Sequence, residues 1–207
     1  MTESLWEQIS RLTAERIDIE PYNPDWPLDF IAEAEHLRKI LPAYLIGRIE
    51  HFGSTAVPGL MAKPIIDMLI EVTSLKQTVE LIVPILQAKG YEYIWRPTFG
   101  DDPPWYAWFI KRDRQGKRTH HLHMVEDDFP HWERLLFRDY LRAFPKVAHE
   151  YGTLKMQLAQ SYPHDREKYT QGKTGFICRV TGQAKEYFHN HTHLEDPSTC
   201  RDSQHLT

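Results

Sequence analysis

Between Lys63 and Val72 the chain runs Lys-Pro-Ile-Ile-Asp-Met-Leu-Ile-Glu-Val, an apolar strand pattern interrupted by an acid. Residues two apart in a strand share a face. Ile66, Met68, Ile70 and Val72 therefore form an unbroken core face, and Asp67, Leu69 and Glu71 form the opposite one. A carboxylate beside buried apolar residues is costly unless it is paired or bound to a metal, which makes Asp67 the leading candidate for chemistry. Glu71 lies about 13 Å further along an extended strand, at roughly 3.3 Å per residue, so it is either a separate ligand or a solvated strand end.

The rest of the chain alternates between strand and helix patterns. Residues 4–14 read as a short helix and Ile17–Glu20 as a strand stopped by Pro21. Phe30, Ile31, Ala34, Leu37 and Leu41 mark one face of a helix that ends at Pro42. Leu45–Phe52 and Ile65–Val72 read as strands, and Ser74 to Gln77 is a capping-box pattern opening a helix that Gly90 closes. Tyr91–Trp95 suggests a strand, and Pro97–Pro104 a Pro/Gly/Asp loop that covers a pocket. Trp105–Lys111 and Arg118–Glu126 read as an antiparallel hairpin, followed by three helices to about Phe188. This gives one α+β domain over residues 1–188 and a poorly ordered tail over 189–207, where His189, His191 and His193 read as solvated.

Composition excludes several classes. At 41% apolar and 26% charged residues the chain is neither a disordered acidic segment nor a membrane protein. No apolar run reaches the roughly 18 residues of a bilayer span, and Met1 to Glu7 lacks the basic and apolar regions of a secretory signal. Cys178 and Cys200 are far apart and read as free thiols, so the expected compartment is the cytoplasm. A formal charge of −4 argues against a dedicated nucleic-acid binder. Lys111, Arg112, Arg114, Lys117 and Arg118 read as a solvated hairpin tip.

Two further motifs accompany the acid. The segment from Ile49 to Leu60 is a strand emptying into Gly53-Ser54-Thr55, where Gly53 permits close approach to the backbone and Ser54 helps to form an anion cradle. In Thr119–Val125 the same alternation puts His121 and His123 on one face, suited to metal ligation, phosphate donation or proton transfer. Lys63 and Lys173 are candidates for neutralising phosphate charge. The chain has no GxSxG elbow, no GxxxxGK[ST] loop and no GxGxxG fingerprint, which argues against hydrolase, P-loop and Rossmann readings.

Taken together, Phe52-Gly-Ser-Thr-Ala-Val-Pro-Gly-Leu, Ala62-Lys-Pro-Ile-Ile-Asp67, Thr119-His-His-Leu-His-Met-Val and Tyr169-Thr-Gln-Gly-Lys-Thr resemble the GrpB family over about residues 16–182. The resemblance implies a nucleotidyltransferase-like fold: a mixed, mainly antiparallel sheet with helices packed against it and a C-terminal helical segment. Some members are fused to dephospho-CoA kinase, which implies a link to coenzyme A metabolism. Carried over from the wider superfamily, Gly53 and Ser54 match its Gly-Ser turn and Asp67 its first acid. Leu69 stands at the second acid position, and His121 and His123 stand where a third acid is expected.

The expected activity is transfer of a nucleotidyl group from a nucleoside triphosphate to an acceptor. Asp67, Glu71, His121 and His123 would be candidate ligands of Mg²⁺ or Mn²⁺, with Asp67, His121 and His123 catalytic and Gly53, Ser54, Lys63 and Lys173 on the phosphates. The expected partner is a nucleotide or other phosphorylated small molecule, with neither nucleic acid nor membrane. One alternative is a catalytically degenerate nucleotide- or coenzyme A-binding module. Another is a partner-binding protein using the aromatic stretch from Trp95 to Trp108.

Overall fold

In a computed structural model, residues 7, 11, 12, 15–99 and 102–192 are described. The expected helix over 4–14 falls mostly outside these residues, as does Cys200. Helix α1 (Trp26–Ile40) leads into strands β1 (Ile46–Phe52) and β2 (Ile66–Val72). Helix α2 begins at Leu75–Gln77, passes through a π-helical turn at Thr78–Ile82 and finishes as Val83–Ala88. Strands β3 (Glu92–Phe99), β4 (Asp102–Arg112) and β5 (Arg118–Val125) follow, then helices α3 (Arg134–Ala143), α4 (Pro145–Ser161) and α5 (Arg166–Thr192).

The five strands form one sheet in the order β1-β2-β5-β4-β3. Only the β2–β5 pair is parallel, with Asp67 opposite His121 and Leu69 opposite His123. The other three pairs are antiparallel. Strand parity decides the layers. Met68, Ile70, Leu122 and Met124 pack with Leu37 and Leu41 of the α1 region and with Ile82 and Leu86 of α2. Leu69 and Val125 face the other way, into a cluster with Phe52, Tyr106, Trp108 and Phe129. On that second side α3, α4 and α5 pack around Leu141, Ala148, Tyr151 and Val180, which touch Val57 and Leu60 of the β1–β2 connection.

Local sequence accounts for several boundaries. The Ser74 side chain accepts a hydrogen bond from the Gln77 amide, as the capping pattern anticipates, and Gly90 adopts φ 86° after α2. Other expectations are corrected. Ile17–Glu20 forms no strand; the segment reaches the sheet region only through a bridge between Glu20 and Ala62. The expected loop over 97–104 is instead the far end of the β3–β4 hairpin, paired as Pro97 with Trp105 and Phe99 with Asp102. The basic hairpin is not simply solvated: Arg112 pairs with Glu15 and Glu92, Arg118 with Glu15, and Lys111 with Glu33. The expected disordered tail begins too early, because α5 continues through residues 189–192. Residues 193–207 lie outside the described residues. Among the described residues no helix is long and apolar enough to cross a membrane.

Candidate active site

Strand β1 ends at Phe52, and Gly53 turns the chain at φ 72° into a 3₁₀ turn over Ser54–Ala56. The turn is fixed from beneath: Thr55 Oγ1 donates to the Ile65 carbonyl at 3.2 Å and lies 3.0 Å from His51 Nε2. From the helical side, Arg142 Nε donates to the Ala56 carbonyl at 2.9 Å and Arg138 Nη1 to the His51 carbonyl at 2.8 Å. Glycine at 53 is required by contact as well as by backbone angle. A Cβ there would stand 2.5 Å from Asp67 Oδ2 and 3.0 Å from Asp67 Cβ, so the acid and the turn meet directly.

The parallel pairing brings His121 beside that acid, with Nδ1 3.1 Å from Asp67 Oδ1. A carboxylate on Nδ1 fixes ring orientation and leaves Nε2 for another partner; His121 Nε2 is buried and has no hydrogen-bond partner within the protein. Burial pushes the His121 pKa down to about 4 against the opposing pull of Asp67, so the ring is neutral at pH 7. Burial alone would raise the Asp67 carboxyl. The His121 hydrogen bond, with the charges of Lys63 and Lys173, outweighs it and holds Asp67 below the usual carboxylate range.

Asp67 and His121 open onto a cleft of about 640 Å³ between the sheet and the three C-terminal helices, within the size range of small-molecule sites. Gly53, Ser54, Lys63, Lys173, Arg134, Lys155, Tyr151, Tyr169 and His131 also line it, with Phe137, Leu141 and Ile177 forming an apolar wall. Its cations are distinctive. Lys63 and Lys173 lie over the Tyr169 ring at 5.4 and 4.3 Å, and Lys155 lies 4.9 Å from the Tyr151 ring centre. Among the described residues none of Lys63, Lys155, Lys173 and Arg134 has a carboxylate within ion-pairing distance, whereas Lys185, at the same cleft, is tied to Glu133 at 2.8 Å. Burial, reinforced by the charge of Lys173, lowers Lys155 to about 7. Burial also lowers Lys173 to about 8, offset by Asp67 and reinforced by Arg134, and takes Lys63 well below its ordinary value.

The cleft thus gathers Gly53, Ser54, Lys63, Asp67, His121 and Lys173 of the residues expected from sequence. Two others do not line it, although His123 offers a ligand atom within 4.8 Å of those of Asp67 and His121. Glu71 pairs with Arg48 at 2.9 Å and does not line the cleft. His123 sits behind the wall, stacked on Tyr106 at 5.4 Å and edge-on to Phe52 at 5.1 Å. Sequence reasoning missed Arg134, Lys155, Tyr151, Tyr169 and His131. A signal for three of these groups was present: Tyr151/Lys155 and Tyr169/Lys173 are both Tyr-x-x-x-Lys pairs, and residues four apart share a helix face. Within the aromatic stretch offered for partner binding, Tyr106 is 2% and Trp108 7% exposed, whereas Trp95 is 37% exposed.

The two-acid ion site implied by the resemblance does not fit these residues. Asp67, His121 and His123 each offer one ligand atom, all within 4.8 Å of one another. That set has one carboxylate, whereas Mg²⁺ prefers oxygen ligands throughout. Mn²⁺ tolerates imidazole better, but it too would enter a cleft holding four unpaired cations. Leu69 occupies the second acid position at 0% exposure within the core.

Neutralising Glu71 is expected to leave this cleft unchanged. Glu71→Gln removes a partly exposed ion pair worth about 0–1 kcal/mol, so urea unfolding is expected to show a loss of that size and no change in any ligand affinity.

Comparison with known proteins agrees with the motifs. The profile of the GrpB protein family matches residues 16–183. The chain is 38% identical over 190 residues to the UPF0157 protein YqkA of Bacillus subtilis, covering 91% of this chain and 53% of that protein, so it spans about half the relative's length. A crystal structure of conserved protein GrpB from Enterococcus faecalis superposes with a TM-score of 0.71 at 38% identity, covering 83% of this chain and 99% of that one. A dephospho-CoA kinase of Mycolicibacterium paratuberculosis is 29% identical over 181 residues, covering 76% of this chain and 43% of that protein. With the turn, the acidic strand and the paired histidines folded together and the family profile matched across them, the chain belongs to the GrpB family.

Proposed function

We propose that the cleft binds the phosphates of a nucleoside triphosphate or related phosphorylated small molecule and transfers a nucleotidyl group to an acceptor hydroxyl. The observation that carries the binding half is the set of four cations without carboxylate partners around Asp67. Buried charge is costly when unpaired, so such a set is complementary to a multiply charged anion. The similarity to a dephospho-CoA kinase supports a phosphorylated ligand.

The transfer half rests on Asp67 and His121. An acceptor oxygen forms a bond to the α-phosphorus, the bond from that phosphorus to the bridging oxygen breaks, and diphosphate departs with the bond's electrons. The acceptor's proton passes to His121 Nε2, and Asp67 stabilises the resulting imidazolium through Nδ1. The backbone and hydroxyl of Ser54, with Lys63, Lys155, Lys173 and Arg134, offset the charge on the phosphates.

A second reading is favoured by Leu69: with an apolar residue where the superfamily has its second acid, the cleft is a non-catalytic nucleotide- or coenzyme A-binding module. Diphosphate release separates the two. In assays of the four common nucleoside triphosphates with hydroxyl-bearing acceptors, including dephospho-CoA, transfer predicts release that falls at least about 100-fold in His121→Gln while nucleotide binding persists. Binding without release from any of the four supports the module.

A further inference from the structure

We propose that this cleft grips its ligand's phosphates without a divalent ion, the positive charge being supplied by Lys63, Lys155, Lys173 and Arg134. The inference rests on the phosphate-binding reading above and concerns what neutralises the phosphate charge there.

Three observations carry it. The first is the distribution of ion pairs. Away from the cleft most buried or half-buried cations are consumed by acids: Arg112 and Arg118 by Glu15, Arg138 by Glu50 and Asp139, and Lys111 by Glu33, with Arg96, over the Tyr106 and Trp108 rings, an exception. At the cleft, three lysines rest on tyrosine faces instead, and Arg134 lies 5.9 Å from the Phe52 ring centre. An aromatic face holds a cation in place without neutralising it, so the charge remains available to an incoming anion.

The second is the state of the lone acid. Asp67 Oδ1 is engaged by His121 at 3.1 Å, and Oδ2 lies 2.5 Å from where a Cβ on residue 53 would stand. The other cleft carboxylate, Glu133, is held by Lys185 at 2.8 Å. The cleft therefore offers an ion one carboxylate, partly engaged by a neutral imidazole, and no second acid. The third is what stands at the remaining ligand positions: Leu69 is fully buried in the core, and His123 is enclosed by Phe52 and Tyr106 rather than lining the cleft.

With every group ionised, four cations face one uncommitted carboxylate, an excess of three positive charges. A cation entering that field is repelled, while a di- or triphosphate is attracted. The depressed lysine pKa values are the same imbalance seen from the side of the protein: burial and mutual repulsion act on these amines with little anionic charge to oppose them.

The sign of one mutational effect separates the two modes of phosphate binding. If cations alone hold the phosphates, Asp67→Asn removes a repulsive charge, and affinity is unchanged or higher. If an ion bridges Asp67 to the phosphates, the same substitution lowers affinity. The test is calorimetric titration of the full chain with ATP and with inorganic tripolyphosphate, first in excess EDTA and then with saturating Mg²⁺ or Mn²⁺.

The expected result is binding of both probes in EDTA. Lys155→Met and Lys173→Met should each weaken it by about 10-fold or more, with Asp67→Asn equal to or tighter than wild type and Glu71→Gln indistinguishable from it. Binding that appears only with the ion and is lost in Asp67→Asn overturns the inference and leaves the phosphate-binding reading standing. Failure of both probes to bind under either condition overturns both. The wild-type comparison with and without the ion decides the matter even if a variant fails to fold.

Discussion

Gly53→Ala is expected to destabilise the chain by about 2–6 kcal/mol and to abolish phosphate binding. Two costs add. At φ 72° and ψ −169° the backbone lies in a positive-φ region that is essentially glycine-only, at roughly 1–3 kcal/mol for any other residue. The new methyl would also stand 2.5 Å from Asp67 Oδ2, and overpacking of this kind costs about 1–3 kcal/mol. Relief by backbone shift is restricted, because Thr55, Arg138 and Arg142 pin the turn on both sides. The cause is checked by a double-mutant cycle. In an Asp67→Gly background the added methyl meets no side chain at position 67, so urea unfolding should show the Gly53→Ala cost falling to the backbone term alone, with a coupling of at least about 1 kcal/mol. Additive costs would mean that the close approach of turn and acid is not what requires glycine.

A rise in stability from pH 7 to pH 9 is the second large effect, and it runs against the usual neutral optimum. Lys155 loses its proton near 7 in the folded chain, against 10.5 ordinarily, and Lys173 near 8. Through this window the unfolded chain binds more protons than the folded one, so the free energy of unfolding increases with pH. Each lysine contributes up to about 1.4 kcal/mol per pH unit while the difference lasts. Lys63, which burial also takes well below its ordinary value, acts in the same direction through this window, and the displaced histidines and tyrosines lie outside it. His51 and His121 lose their protons near 4 when folded and 6.5 otherwise, so their effect ends below pH 7. The raised tyrosines, Tyr151 and Tyr169, act only above the ordinary tyrosine value of 10.0.

A bound polyphosphate reverses the trend, because it favours the protonated amines. Tripolyphosphate should therefore raise the melting temperature most at pH 7 and least at pH 9, with proton uptake on binding. The rise without ligand should be smaller in Lys155→Met/Lys173→Met, leaving the share due to Lys63. A melting temperature that is flat or falling from pH 7 to 9 in the ligand-free wild type would show that these lysines keep their ordinary protonation.

How much of this was legible follows from the range of the interactions involved. The alternation at 66–72 and 119–125 assigns each side chain to a face of the sheet, and the structure keeps that assignment: Met68 and Leu122 in one core, Leu69 and Val125 in the other. Parity does not say which strands are neighbours. That Asp67 stands opposite His121 depends on a parallel pairing across more than 50 residues, set by how the whole sheet packs.

Pro97, Pro103 and Pro104 read as loop because proline breaks a sheet ladder. Here β3 is an edge strand, and β4 before Ala107 has no β5 partner, so at each proline one side of the strand carries no ladder to break. Glu71 shows the limit of reading a face: it shares parity with Asp67, but Arg48 on the neighbouring strand takes its charge. Lys155 and Arg134 are ordinary helix residues in sequence. They become a site only because α3 and α4 close over the turn after β1.

A crystal structure of the chain grown with ATP would test the central claim most directly. The account predicts triphosphate oxygens within hydrogen-bonding distance of Lys155 Nζ, Lys173 Nζ and the Arg134 guanidinium, with the α-phosphate nearest Asp67 and His121. Triphosphate bound elsewhere on the surface, or a cleft in which new carboxylate partners have taken up those cations, would contradict it.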